Sequence, residues 1–153
     1  MPRLYDELRT IIDALDRNEI EYALCGGLAM AVHGSPRTTI DIDILISENS
    51  LTRVIEIAEQ LGYTIRGLDL NFGEVKIRRV SKIDSATKEL MTLDMLLVTS
   101  KIEKIWKSRI RATLEGGKLS VVSKDGLIAL KKLAGRPQDI ADIVALSENE
   151  NAS

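Results

Sequence analysis

The sequence predicts an α/β (α+β) protein in which a small mixed β-sheet is flanked by helices. Residues 3–18 carry apolar side chains at three- and four-residue spacing, which is typical of an amphipathic helix. Residues 40–46 alternate apolar and polar side chains, as a half-buried strand does. Residues 90–98 form a strongly apolar run that indicates a buried strand, and helical segments follow it. Because helices and strands are interspersed along the chain, a mixed class is favoured over an all-α or all-β class.

The other elements follow from the same periodicities and from turn residues. A strand at 21–25 is closed by Gly26-Gly27, and a short helix at 28–33 comes next. Ser50 is the expected N-cap of the helix after the alternating strand. The remaining predicted elements, in chain order, are a helix at 50–61, strands at 63–66 and 74–80, a polar loop at 81–89, the strand at 90–98, a helix at 101–107, a hairpin of 109–114 and 118–122, and helices at 124–134 and 137–146.

Length and composition indicate one ordinary globular domain. The chain has 153 residues, of which 44% are hydrophobic and 29% charged, and no linker divides it. We expect residues 1–146 to form a single domain and residues 147–153 to form a polar, disordered tail. The formal net charge of −2 argues against a protein that coats nucleic acid by bulk charge, although a local basic groove stays possible.

The single cysteine, the single histidine and the hydropathy exclude some kinds of site and indicate the cellular compartment. Cys25 is the only cysteine, so an intrachain disulfide is excluded, and without a signal peptide a reducing cytoplasm is expected. His33 is the only histidine, which excludes a zinc site built from several His and Cys ligands. No apolar run approaches the roughly 20 residues that a membrane-spanning helix needs.

The alternating strand carries two acids, Asp41 and Asp43. Residues two apart in a strand share a face, so the two carboxylates lie side by side while the isoleucines between them face a core. Two carboxylates at that spacing repel each other unless a cation lies between them. Oxygen ligands of this kind suit Mg²⁺ or Mn²⁺. Acids also alternate on surface strands that bind no ligand, so this pair alone does not establish a metal site.

A third acid, Asp94, is the only charge in the apolar run at 90–98. A carboxylate in a buried strand is costly unless it is paired or binds a metal ion. If this strand lies beside the first, Asp94 joins Asp41 and Asp43. Three such carboxylates can hold two metal ions, roughly 3.5–4 Å apart, that serve an in-line displacement at phosphorus.

The Gly26-Gly27 turn precedes these acids along the chain. Glycines between a strand and a helix let the backbone pass close to a ligand, and the first N–H groups of the helix are free to bind it. This arrangement is typical of phosphate binding. A tight turn without a ligand has the same local pattern, so the spacing to the other residues matters.

The order Gly26-Gly27, His33-Gly34, Arg37-Thr38-Thr39 and Asp41-Ile42-Asp43 resembles the DNA polymerase β-like nucleotidyltransferase superfamily. Within it, the pattern is similar to small bacterial nucleotidyltransferases related to AbiEii-type toxins and to antibiotic nucleotidyltransferases. Residues 22–46 match closely, and Asp94 matches the third carboxylate. Residues 125–143 look like the closing motif of that group.

The resemblance implies a minimal nucleotidyltransferase fold and a Mg²⁺- or Mn²⁺-dependent enzyme. It would transfer a nucleoside monophosphate from an NTP to a hydroxyl of a small molecule, a protein or a tRNA end. Its implied catalytic residues and metal ligands are Asp41, Asp43 and Asp94. Asp94 would also help to deprotonate the acceptor. Its implied nucleotide-binding residues are Gly26, Gly27, Arg37, Thr39 and Lys131, with Lys132 as an alternative to Lys131. Leu28 departs from the family's Gly-Ser form, so backbone N–H groups replace a hydroxyl here.

Several alternatives stay open at this level. The chain is short, so a catalytically inactive nucleotide-binding or toxin–antitoxin-type interaction module is the competing interpretation, and a homodimer is a way to complete an acceptor pocket. His33 is equally suited to contact a substrate or to bond a backbone carbonyl. Asp139 and Asp142 are expected to fix the last helix, and Cys25 to be a small buried residue. Two basic clusters are either solvated faces or contacts for RNA: Lys101, Lys104, Lys107, Arg109 and Arg111, and Lys76, Arg78, Arg79 and Lys82.

Overall fold

The computed structural model describes residues 2–37 and 39–152. The helices are α1 (Pro2–Arg17), α2 (Gly26–Val32), α3 (Leu51–Gln60), α4 (Glu103–Lys107), α5 (Lys124–Ala134) and α6 (Pro137–Ala152). The strands are β1 (Ala23–Cys25), β2 (Asp41–Ser47), β3 (Ile65–Arg66), β4 (Leu70–Phe72), β5 (Val75–Ile83), β6 (Leu90–Val98), β7 (Ile110–Leu114) and β8 (Gly117–Val121). Within the described residues no helix is long and apolar enough to cross a membrane.

The strands form one mixed sheet, so the predicted fold class is confirmed. Their order is β3-β5-β6-β2-β1-β8-β7, and β4 also pairs with β5. The β2–β6 and β1–β8 pairs are parallel, whereas the others are antiparallel. The two strands that carry the predicted acids are therefore neighbours near the middle of the sheet.

The two faces of the sheet have different roles. On β5, Lys82 forms an ion pair of 2.7 Å with Glu7, which places α1 against one face. Arg79 and Ser81 point to the opposite face, because side chains alternate along a strand. The hydroxyls of Ser81 and Thr92 lie 3.0 Å apart there. Helix α5 covers this second face, and the pocket between them holds the predicted acids.

The first face is buried in an aliphatic core. Ile42, Ile44 and Ile46 on β2 are at most 1% exposed, as the alternation in that strand predicts. The core is continuous with residues from α1, α3 and the middle of α6, where Leu146 is fully buried. The face that lacks these side chains is the one that can carry charge.

Some element boundaries differ from those predicted. Strand β5 continues to Ile83, so the predicted loop at 81–89 shortens, because Ser81 and Lys82 both find partners in the fold. Helix α6 continues to Ala152, beyond the predicted end at Leu146, while Ser153 lies outside the described residues. Ser50 makes no side-chain cap. Instead the hydroxyl of Ser47 accepts from Asn49, and a 3₁₀ turn leads into α3.

Candidate active site

Four side chains form one row across the sheet. The register sets Cys25 of β1 opposite Asp43 of β2, Asp43 opposite Asp94 of β6, and Asp94 opposite Arg79 of β5. Asp41 lies two residues from Asp43 on the same face, opposite Thr92. Pairing of β2 with β6 thus brings together the three acids that the sequence singled out.

The pKa values of Asp41 and Asp43 are raised by burial and by neighbouring negative charges. Burial, followed by the negative charges of Asp94 and Asp41, raises the pKa of Asp43 to about 7. Burial, followed by the charge of Asp94, also raises the pKa of Asp41. Both shifts have the causes expected of carboxylates that share a site with too little positive charge. The arrangement would bind a cation favourably.

Asp94 has a partner within the chain. It is buried, and Arg79 donates from Nε to one of its carboxylate oxygens at 2.7 Å and from Nη2 to the other at 2.9 Å. This two-pronged geometry is the strongest form of arginine–carboxylate pairing. Asp94 is therefore both the buried acid of the row and one with an immediate counter-charge.

The glycine turn lies directly against this row. Gly26 has a φ of +68°, and a Cβ built on it would fall on the carboxylate of Asp43, 2.6 Å from its Cγ. A Cβ on Gly27 would lie 2.8 Å from Thr39. Only glycine lets the backbone come this close to the acids. The turn brings its peptide groups next to the carboxylates, as the spacing of the motif indicates.

A layer of cations faces the acids: Lys131 lies on α5, Arg136 lies in the turn before α6, and Arg37 lies in the segment before β2. Lys131 is 5% exposed, and its Nζ lies 2.8 Å from Asp142 and 3.8 Å from Asp139. Arg136 donates to both oxygens of Asp139 at 2.7 and 3.2 Å. Arg37 reaches the same helix, with Nε 3.1 Å from Asp142. The carboxylates of α6 thus hold three cations at the pocket, while their own charge is balanced.

One pocket joins these groups. The acids of β2 and β6 form its floor, Gly26, Arg37 and Thr39 lie along one side, and α5 and the start of α6 cover it. Its polar lining is Gly26, Arg37, Thr39, Asp41, Asp43, Arg79, Asp94, Lys131, Arg136, Gln138 and Asp139. Seven of the eight predicted site residues line it. Gly27 instead borders an adjacent pocket that shares Arg37 and Thr39.

The sequence model of the aminoglycoside-2''-adenylyltransferase family matches residues 7–143, which include every residue of this pocket. The chain belongs to the aminoglycoside-2''-adenylyltransferase family. No curated protein matches the chain by sequence. This membership confirms the resemblance to nucleotidyltransferases of the DNA polymerase β type with antibiotic-modifying members, and it makes the protein a nucleotidyltransferase.

Solved structures share the fold of this family member at low sequence identity. A protein of Thermotoga maritima named as a nucleotidyltransferase has a TM-score of 0.67 at 17% identity, over 97% of this chain and 94% of that one. ANT(2'')-Ia, solved with adenylyl-2''-tobramycin, has a TM-score of 0.68 at 16% identity, over 99% and 91%. LnuA, a lincosamide antibiotic adenylyltransferase solved with lincomycin, has a TM-score of 0.57 at 17% identity, over 93% and 95%.

The chemistry of the donor set fits a hard divalent cation. Across residues 2–37 and 39–152, no group of three or more His, Cys, Asp or Glu side chains is arranged to hold a metal ion. Asp94 is bonded to Arg79, which leaves Asp41 and Asp43 as the nearest pair of oxygen donors. Mg²⁺ is commonly bound by one or two carboxylates together with substrate phosphates, so this pair suffices for such a site.

Sequence reasoning did not single out three polar residues of the pocket. Arg79 was grouped with its basic neighbours on β5, and only the strand register pairs it with Asp94. Arg136 and Gln138 lie at the α5–α6 turn, where Arg136 also stacks on the ring of Phe72 at 4.6 Å. The one feature of the sequence that could have indicated Arg136 is its position beside Pro137, between two predicted helices. Asp139 and Asp142 do fix the last helix through ion pairs, as predicted.

Other candidate residues have structural contacts. His33 lies with Nε2 2.8 Å from the carbonyl oxygen of Val122, which is one of the two roles expected for it. Cys25 is fully buried, and burial raises the pKa of its thiol well above the ordinary value, so it is not a thiolate nucleophile. Lys132 is exposed and does not line the pocket, whereas Lys131 does.

The basic clusters are divided among separate partners. Arg78 forms an ion pair with Asp69 at 3.3 Å, and Arg79 points to the opposite face. In the other cluster, Arg109 bonds Glu21 at 3.1 Å and stacks on the ring of Trp106 at 3.9 Å. These contacts are typical of solvated faces stabilised by local ion pairs.

Proposed function

We propose that this protein transfers a nucleoside monophosphate from an NTP to a hydroxyl of a small-molecule acceptor, with Mg²⁺ or Mn²⁺. The observation that supports the proposal is that a layer of acids and a layer of cations face each other across one pocket. Asp41, Asp43 and Asp94 lie on the sheet. Lys131, Arg136 and Arg37 lie across the pocket from them. A metal-bound triphosphate is a ligand that satisfies both layers, because it carries divalent cations and excess negative charge together.

Each predicted residue has a distinct part in this proposal. Gly26 and Gly27 would offer backbone N–H groups to the phosphates at the place where a side chain would clash. Lys131 and Arg37 would neutralise phosphate charge, and the planar guanidinium of Arg37 suits two oxygens at once. Thr39, whose hydroxyl is 3.5 Å from the carbonyl oxygen of Asp41, would add a donor at the same edge. We add Arg136 to this group because it belongs to the same layer.

The proposed reaction is an in-line displacement. The acceptor hydroxyl oxygen forms a bond to the α-phosphorus, the bond from that phosphorus to the bridging oxygen breaks, and pyrophosphate leaves. The hydroxyl proton passes to the carboxylate of Asp94. Asp41, Asp43 and Asp94 are the proposed ligands of the divalent cation, which when bound stabilises the charge on the phosphates.

Substitution of Asp41 or Asp43 tests the proposal. Asp41→Asn and Asp43→Asn should each lower metal-dependent pyrophosphate release by about a thousandfold, since metal ions supply several kcal/mol at the transition state. Asp69→Asn removes an exposed acid outside the pocket and should leave release unchanged. Circular dichroism of all three variants should match the wild type. Undiminished release in the first two would overturn the proposal.

The acceptor is proposed by similarity to the family. Structures of the same fold were solved with adenylyl-2''-tobramycin and with lincomycin, so hydroxylated antibiotics are the first acceptors to test. RNA is less favoured, because Lys107 and Arg109 of the basic cluster outside the pocket are engaged in local ion pairs. Labelled NTPs should be incubated with the chain, Mg²⁺ and three acceptor classes, namely aminoglycosides, lincosamides and RNA. Label on the RNA alone would contradict a small-molecule acceptor.

The competing proposal is an inactive nucleotide-binding or toxin–antitoxin-type module. The pairing of Asp94 with Arg79 is the observation that favours it. Calorimetric titration with each NTP and Mg²⁺ separates the two proposals. Binding of an NTP with no turnover on any of the three acceptor classes would favour the module. Sedimentation of the same samples would show whether two copies assemble.

A further inference from the structure

Arg79 is the cation closest to the three acids, and its position has a consequence for metal binding. We propose that Arg79 is a built-in counter-cation, which holds Asp94 while no divalent cation is bound and lowers the affinity of the acids for one. The proposal rests on the proposed function in one respect, namely that these acids are the metal site. Arg79 is then a positioning residue, because it acts through Asp94.

The geometry supports a direct competition. Both oxygens of Asp94 accept hydrogen bonds from Arg79, at 2.7 and 2.9 Å. A carboxylate whose two oxygens both accept from a guanidinium has fewer lone pairs left for a cation, so Arg79 and a cation compete for Asp94. The hydrogen bonds that Arg79 donates to Asp94, together with the charges of Asp94, Asp41 and Asp43, raise the pKa of Arg79. Its positive charge is therefore held beside Asp94.

The backbone of Arg79 is held by a hydrogen bond, whereas its side chain is partly exposed. Its carbonyl oxygen accepts from the N–H of Gly67 at 2.9 Å, and a Cβ on Gly67 would lie 3.1 Å from the Cβ and Cγ of Arg79. The side chain of Arg79 is 36% exposed, compared with 5% for Asp94. A guanidinium with this exposure can leave Asp94 for solvent or for a phosphate while the strand stays in place.

The other cations of the pocket have different partners. Lys131 and Arg136 bind the carboxylates of α6, which lie on the opposite side from the sheet. Among the described residues, Arg79 is the one whose side chain forms an ion pair with any of the three acids. Removing a single charge at hydrogen-bond distance changes the local potential strongly, so cation affinity should respond to Arg79.

The test is a titration of the full chain with Mn²⁺ alone, followed by calorimetry and by the electron paramagnetic resonance signal of free Mn²⁺. Arg79→Met keeps the length of the side chain and removes its charge, and it should bind Mn²⁺ about tenfold more tightly than the wild type. Arg78→Met is the matched control, because Arg78 is the adjacent residue on the opposite face and pairs with Asp69. It should bind Mn²⁺ as the wild type does.

A second substitution identifies the acid involved. Asp94→Asn introduced into Arg79→Met should abolish the gain in affinity, because Arg79 acts on the metal through Asp94. If Arg79→Met does not fold, Arg79→Lys retains the charge but loses the two-pronged geometry, and it should bind Mn²⁺ more tightly than the wild type by a smaller factor.

Equal Mn²⁺ affinity of the wild type and the folded Arg79 variant would overturn the proposal, as would an equal gain in Arg78→Met. This readout does not depend on turnover. Failure of the nucleotidyl transfer assay and failure of the counter-cation proposal are therefore distinguishable.

Discussion

Gly26 is restricted both in its backbone conformation and in the space around it. Its φ of +68° lies in the left-handed region, and a Cβ there would collide with the carboxylate of Asp43. Gly116 has a similar φ of +78° but nothing within 4 Å of the same position. The two glycines therefore separate the cost of the conformation from the cost of the clash.

Alanine at these two positions should have unequal effects. Gly116→Ala should lower the free energy of unfolding by about 1–2 kcal/mol, the cost of a left-handed alanine. Gly26→Ala should lower it by about 1–3 kcal/mol more, because atoms must move around Asp43. It should also abolish nucleotidyl transfer, whereas Gly116→Ala should not. Urea unfolding and pyrophosphate release measure the two effects, and equal losses would contradict the role of Asp43.

The site residues on strands could be predicted from the sequence where they interrupt an apolar pattern. Asp41 and Asp43 stand out against the isoleucines beside them, and Asp94 stands out in an apolar run. Arg79 could not be found in this way, since it is one of several cations on β5. The register between β5 and β6 places Arg79 opposite Asp94. The local sequence of β5 does not determine which residue of another strand lies opposite Arg79.

At the scale of elements, α5 and α6 form a unit that presents cations to the acids on the sheet. Asp142 of α6 is 4% exposed and contacts both Lys131 and Arg37, at 2.8 and 3.1 Å. A buried cation is tolerated only when its charge is compensated. The last helix thus has two functions, since it buries Leu146 in the core and orients the cations of the pocket.

Asp142→Asn should damage both functions of this unit. It leaves the buried Lys131 without its nearest counter-charge, so the free energy of unfolding should fall by about 3 kcal/mol. The KM for the NTP should rise more than kcat falls, because Arg37 and Lys131 lose their common anchor.

Glu148→Gln on the same helix removes an exposed charge and should change stability by less than about 0.5 kcal/mol. Urea unfolding curves and steady-state kinetics of the two variants check this comparison. A kcat that falls with KM unchanged in Asp142→Asn would contradict the anchoring role.

The elements differ in how well the sequence predicts them. Strand β6 and helix α5 begin and end at the predicted residues, because each has a continuous apolar pattern bounded by polar residues. Strand β4 was not predicted, and β3 spans only two residues, both exposed. Strands β3 and β4 are stabilised by pairing with β5. Their own sequences therefore show no periodicity that would predict a strand. Helix α2 begins at Gly26, two residues before its predicted start, since a glycine is not a typical first residue of a helix.

At the scale of the whole molecule, the first helix is fastened to the loop that joins β5 and β6. Arg3 donates to Asp84 at 2.6 Å, and the same carboxylate accepts from the N–H and the hydroxyl of Thr87 at 3.0 and 2.8 Å. The hydrogen bonds from Thr87, followed by that from Arg3, lower the pKa of Asp84 to about 2. This contact joins residues 81 positions apart along the chain.

The shift makes the stability of the fold depend on pH in a defined window. An aspartate in an unfolded chain titrates near 3.9, so between about pH 2 and pH 4 the unfolded state binds more protons at Asp84 than the folded state does. The stabilisation from Asp84 is therefore complete above about pH 4 and is lost as the pH falls toward 2.

The variant Asp84→Asn has no carboxylate charge at this position at any pH, so it should lack the stabilisation from Asp84 throughout. Its free energy of unfolding in urea should be lower than that of the wild type at pH 6, and the difference should shrink between pH 4 and pH 3. Asp13→Asn is the control, because Asp13 is half exposed and pairs with Arg9 one helical turn away. Its difference from the wild type should stay small throughout. A difference for Asp84→Asn that is constant from pH 6 to pH 3 would show that the charge of Asp84 does not fasten the first helix, and that shape alone holds the contact.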